Sequence, residues 1–124
     1  MAVQRPEEIH QAFTTAFNAG DAAALLALYE PDASLAPAPG QVVTGRAAIG
    51  EVLAGFLALK GRMTIETVRV IQSGDVALLH GAWILSGTGP DGSAIEMAGR
   101  NAEVARRQAD GSWLFVVDNP FGDA

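Results

Sequence analysis

Cysteine is absent from all 124 residues. Disulfides, thiolate metal sites, Cys nucleophiles and iron–sulfur chemistry are excluded together. Histidine is scarce. His10 and His80 stand far apart, with no ligand residue at metal-binding spacing beside either, so no metal is expected. Positive charge is short as well: eight Lys and Arg against 14 Asp and Glu leave a net charge of −6. Nucleic-acid binding rests on cations that neutralise phosphates, so no such partner is expected. The adjacent basic pair Arg106-Arg107 reads as a solvated strand end. No window reaches the roughly 18 continuous apolar residues of a membrane span, and Met1 to Pro6 contains no apolar leader segment. The expectation is a soluble, cytoplasmic protein with no membrane partner.

What is present suits a globular domain. Apolar residues make up 49% and charged residues 18%, which is not the composition of a disordered chain. The length suits one domain over residues 1–124, burying about two-thirds of its unfolded surface.

The first third has helical spacing. Pro6-Glu7-Glu8 is a good helix start. Ile9, Phe13 and Phe17 recur every four residues, and Gly20 is the natural stop. Asp21 can cap a second helix with Leu25, Leu28 and Tyr29 inward, ended by Pro31. Two short extended pieces, 34–37 and 41–44, flank the turn at Pro39-Gly40. Ile49, Val52, Leu53, Phe56 and Leu57 then fit the amphipathic template of a third helix fully.

The second half has strand spacing. Residues 63–72 are β-rich, and 76–86 are apolar enough for a central strand covered on both faces. Residues 94–108 form a long strand with a bulge expected at Gly99. A hairpin turn at Ala109-Asp110-Gly111-Ser112 leads into a last strand, 113–119. Helices first and an antiparallel meander after them mean α+β. Three modest helices cannot cover a flat sheet of long strands, so the sheet should curve over them and leave a concave volume. Gly87-Thr88-Gly89-Pro90-Asp91-Gly92 matches G-x-G-x-x-G, but strand pattern follows it where a dinucleotide site needs a helix.

This order of elements resembles the nuclear-transport-factor-2-like superfamily, and within it the SnoaL-like branch of polyketide cyclases and ketosteroid isomerase relatives. The matching pieces are Phe17-Asn18-Ala19-Gly20-Asp21, Tyr29-Glu30-Pro31-Asp32-Ala33, Thr44-Gly45-Arg46-Ala47-Ala48-Ile49, and Asp110-Gly111-Ser112-Trp113 leading into Asp118-Asn119-Pro120. The resemblance implies three helices in the concavity of a strongly curved, mixed but mainly antiparallel sheet. It also implies a cone-like barrel with a pocket at its wide end, and homodimers through the sheet. Such markers identify a fold better than a function, because the superfamily holds enzymes, ligand carriers and dimerisation modules. Ketosteroid isomerase needs a carboxylate base plus a tyrosine and a protonated aspartic acid as oxyanion donors. By the resemblance, the tyrosine position falls on Phe13, the base on or beside Pro37, and only the aspartic-acid position finds a carboxyl, at Glu103. Steroid isomerisation by that route lacks two of its parts. A carboxylate network of the limonene-epoxide-hydrolase kind does not assemble from the sequence either.

The candidate catalytic residues are Asp118 and Glu103, on strands joined by the hairpin at Asp110-Gly111. A carboxyl against apolar walls has a raised pKa and can act as acid or base near neutral pH. The alternative is an exposed acid, Glu103 paired with Arg100 or Arg106, or Asp118 bonded to backbone before Pro120. Asn119 shares a face with Trp113, Phe115 and Val117 if pairing is regular, and is either the polar tip of a pocket wall or a turn residue. His80 is a core or interface residue or a pocket acid–base group, and Trp83, on the opposite face, is either a flat pocket wall for a ring-shaped ligand or packing. Phe13, Phe17, Tyr29 and Phe56 are core residues, some lining the cavity. Two readings follow: a cofactor-free enzyme for a small, apolar, even polycyclic molecule doing isomerase, cyclase or dehydratase chemistry, or a non-catalytic ligand-binding or dimerisation module.

Overall fold

The computed structural model describes residues 2–122. A short 3-10 turn at Pro6–Glu8 runs into helix α1 (Ile9–Asn18), whose Ile9, Phe13, Ala16 and Phe17 are buried on one face. Helix α2 (Ala22–Leu26) is capped as its sequence predicts: the Asp21 carboxylate accepts from Ala24 N–H at 3.0 Å. Helix α3 (Arg46–Leu57) buries Ile49 and Leu53.

The six strands are β1 (Tyr29–Leu35), β2 (Val43–Thr44), β3 (Arg62–Ser73), β4 (Val76–Thr88), β5 (Ala94–Arg107) and β6 (Trp113–Asn119). They form one sheet in the order β2-β1-β6-β5-β4-β3. All pairs are antiparallel except β1 with β6. The sheet is mixed and curved, does not close on itself, and carries the helices on its inner face. There α1 packs on β3, α3 on β1 and β2, and α2 on both other helices. Between them lies one core, in which Trp113, Tyr29 and Phe115 are the largest fully buried side chains. The fold class is the α+β arrangement expected.

Three local expectations need correction. Tyr29 and Pro31 belong to β1 and not to the tail of the second helix. Pro31 is tolerated because β1 and β6 lose register between Tyr29 and Ser34, so no ladder bond is required of it. Strand β4 is covered on one face only: Ala77, Leu79, Trp83 and Leu85 are buried, while Val76, Leu78 and Ile84 are exposed. Gly99 is not a bulge, since pairing runs unbroken through Trp83↔Gly99. A Cβ there would sit 2.8 Å from the Trp83 indole nitrogen, so the glycine makes room for that ring. The irregularities lie instead in β3 between Thr67 and Arg69, and where Val104↔Val117 gives way to Ala105↔Phe115. The loop at residues 89–93 leads into β5, with no helix after its glycines.

Candidate active site

The β5–β6 irregularity leaves Val116 as an extra residue opposite the β5 ladder. A bulge of this kind moves everything beyond it to the other face. Phe115 and Asp118 therefore both point inward and are buried, whereas Val117 is exposed. On β5, Asn101, Glu103 and Ala105 are inward by simple alternation. Glu103 and Asp118 are direct cross-strand partners, only 4% and 7% exposed.

Each carboxyl has a protein partner. The Tyr29 hydroxyl donates to Asp118 Oδ2 at 2.5 Å. His10 Nε2 lies 2.6 Å from Glu103 Oε1, and the Asn101 amide donates to Glu103 Oε2 at 2.6 Å. The same amide nitrogen lies 3.3 Å from His10 Nε2. On its far side, His10 Nδ1 meets the Thr67 hydroxyl at 2.7 Å. With Nε2–H donating to Glu103, Nδ1 accepts from the Thr67 hydroxyl when the ring is neutral and donates to it when charged. The β3 irregularity at Thr67 and the position of His10 on α1 make this bridge between helix and sheet.

Burial and the facing Glu103 push the Asp118 pKa up to about 7, and the Tyr29 hydrogen bond acts in the opposite direction. The Tyr29 hydroxyl is itself held well above its ordinary value by burial and by Asp118. Asp118 thus changes protonation near neutrality without leaving the interior.

These groups form the polar end of a cavity of about 50 Å³. Its other walls are Phe13, Phe17, Leu35, Leu53, Phe56, Met63, Ile65, Trp83, Phe115 and Pro120. The Trp83 indole N–H donates to Pro120 O at 2.6 Å, which ties the end of β6 across β4. Among the described residues, no group of three or more His, Asp or Glu is arranged to hold a metal ion.

Seven of the ten predicted site residues line this cavity: Glu103, Asp118, Phe13, Phe17, Phe56, Trp83 and Phe115. The other three do not. Tyr29 stands behind the wall, its ring 5.3 Å from that of Phe115, and reaches the site only through Asp118. His80 lies on the outer face, because its neighbours Leu79 and Gly81 are the inward residues of β4. Asn119 donates to Gly122 O, as a turn residue does, after the bulge shifts the alternation that would have placed it inward. Neither Arg100 nor Arg106 meets Glu103; Arg106 pairs with Glu30 on the surface.

Two site residues escape the sequence reading, His10 and Asn101. Both carried a signal. His10 is three residues before Phe13 and seven before Phe17, on the apolar face of α1, and Asn101 is two residues before Glu103, on the same side of β5.

Among solved structures, the chain is similar to a ketosteroid isomerase-like protein from Erwinia carotovora atroseptica at 28% identity and a TM-score of 0.79, over 91% of this chain and 89% of that one. It is also similar in fold to an NTF2-like protein with a cystatin-like fold from Novosphingobium aromaticivorans, at 22% identity and TM-score 0.73, over 91% of this chain and 78% of that one. A candidate calcium/calmodulin-dependent protein kinase type II association domain from Thiobacillus denitrificans shares the fold at 23% identity and TM-score 0.77, over 98% of each chain. No curated protein matches. The family model of the SnoaL-like domain matches residues 10–116, which hold nearly all of the helices and sheet but end before Asp118. The chain belongs to the SnoaL-like domain family, within the NTF2-like superfamily.

Proposed function

We propose that this chain, acting as a single domain, is a cofactor-independent acid–base enzyme for a small, mostly apolar molecule. The observation that carries the reading is the pair Glu103 and Asp118. Two carboxyls face one another across a strand pair at the polar end of an otherwise apolar cavity. Such a pair can take a proton from one substrate atom and return it at another, the chemistry shared by isomerases, cyclases and dehydratases. Asp118 is the proton shuttle, since its pKa of about 7 lets it donate or accept near neutral pH. Glu103, held by His10 and Asn101, is the second acid–base group. Phe13 lines the wall without a hydroxyl, and Pro37 does not line the cavity, so the steroid-isomerase arrangement is not the one used.

Deuterium exchange at the carbon beside the carbonyl of cyclic and β-hydroxy ketones, followed by NMR, tests this reading. The protein should accelerate exchange for at least one probe, and Asp118→Asn should abolish the acceleration while the fold persists. Exchange at the solvent rate throughout, with Asp118 titrating near 4, would remove the enzyme reading.

A second reading is a non-catalytic module of the same fold. Its support is the outer sheet face, where Val68, Ile71, Val76, Leu78 and Ile84 are exposed. A homodimer through this face would cover them, and it is compatible with either reading of the cavity.

A further inference from the structure

Of the buried side-chain polar atoms among the described residues, Asn101 Oδ1 alone has no hydrogen-bond partner. Asn101 is 3% exposed, and it lines the cavity beside Glu103 and Asp118. The orientation of its amide is fixed by chemistry. Nδ2 faces Glu103 Oε2 at 2.6 Å, where only the N–H side of the amide can serve a carboxylate. The oxygen is therefore committed to the opposite direction. It cannot be satisfied from the sheet: Gly81, its register partner on β4, lies beneath the amide and offers no side chain. A Cβ on Gly81 would lie 3.0 Å from both Asn101 amide atoms, so the glycine preserves the space that the amide occupies. An acceptor buried without a donor is costly, about 1–3 kcal/mol in ordinary cases, and sites that bear one reject ligands unable to satisfy it.

We infer that the cavity selects a hydroxylated ligand, whose O–H donates to Asn101 Oδ1 while its carbon skeleton lies against the phenylalanine and tryptophan walls. The inference rests on the proposed reading of the cavity as a ligand site and adds the class of ligand to it: alcohols and enols, in preference to ketones or hydrocarbons of the same shape. Asn101 is then a specificity-determining residue. A ketone has no donor, so it leaves the orphan acceptor as it was. A hydrocarbon does the same.

The test compares three probes of one shape, cyclohexanol, cyclohexanone and methylcyclohexane, titrated into the intact protein. Binding is read from the Trp83 indole N–H signal in NMR. Cyclohexanol should bind about tenfold more tightly than either of the others. In Asn101→Leu, which removes the acceptor and keeps the bulk, the three affinities should converge. Equal affinities in the wild type overturn the inference and leave the ligand-site reading standing; so does a preference for cyclohexanol that survives in Asn101→Leu. If none of the three perturbs Trp83, the ligand-site reading falls, and this inference with it. Should Asn101→Leu fail to fold, the smaller Asn101→Ala, which also removes the acceptor, carries the same comparison.

Discussion

Asp118 shows how one residue ties protonation to folding. In the unfolded chain its carboxyl ionises near 4, and in the fold near 7. Below about pH 4 both states hold the proton. Between about 4 and 7 the unfolded chain releases it first, so the native state binds more protons and loses stability as pH rises, levelling off above 7. Asp118→Asn cannot titrate. It should flatten this part of the stability curve and leave the variant more stable than wild type at pH 8, by an amount on the order of a few kcal/mol. Urea titrations at pH 4.5, 6 and 8 measure it; a stability difference between variant and wild type that does not grow across this window would contradict the assignment. Tyr29 acts on the same group from behind. Its hydroxyl lowers the Asp118 pKa, so Tyr29→Phe should move the Asp118 midpoint above 7, as followed by the carbon-13 shift of the side-chain carboxyl. An unchanged midpoint would mean that the 2.5 Å hydrogen bond contributes nothing to the site.

At the scale of elements, the site depends on two places where strands depart from alternation. Without the extra residue at Val116, Asp118 would point outward and Val117 inward. The departure between Thr67 and Arg69 similarly accompanies the contact that closes the His10 bridge. Close approach between strands matters as well. Trp83 lies over Gly99, and its N–H reaches Pro120. Gly99→Ala places a methyl about where the indole now is. We expect it to cost about 1–3 kcal/mol through overpacking and to shift the Trp83 N–H resonance as its bond to Pro120 lengthens. Denaturant midpoints and the NMR spectrum check both; a stable variant with an unmoved indole would show that the sheet has slack there.

At the scale of the molecule, one face of the sheet covers the core and the other carries exposed aliphatic side chains. Ile84 is 50% exposed and Val68 64% exposed. Aliphatic side chains left exposed on one sheet face mark a candidate association surface. If the proposed homodimer forms there, wild-type protein sediments at twice its 12.8 kDa chain mass, and Ile84→Lys shifts it to the monomer without loss of secondary structure. Dimers that persist in Ile84→Lys would place the interface elsewhere.

Periodicity carried most of the architecture. Four-residue spacing of Ile9, Phe13 and Phe17 marks α1, the template from Ile49 to Leu57 marks α3, and the later strands run where apolar and β-branched residues cluster. These signals are local, because a helix or strand shows its buried face in its own spacing. The two carboxyls were legible as acids in apolar surroundings for the same reason. What decided the site was not local. Whether Asp118 or Asn119 faced inward hung on a single extra residue in β6, visible only through its pairing with β5. That His10 would meet Glu103 depended on α1 packing across the sheet, 93 positions away in sequence. The sequence by itself determined most of the helices and strands, though not that Tyr29 to Pro31 pass from helix to strand, and which acids have apolar neighbours. Tertiary structure alone decided which side chains share an interior, since register, bulges and packing set the direction of a side chain only once two segments have met.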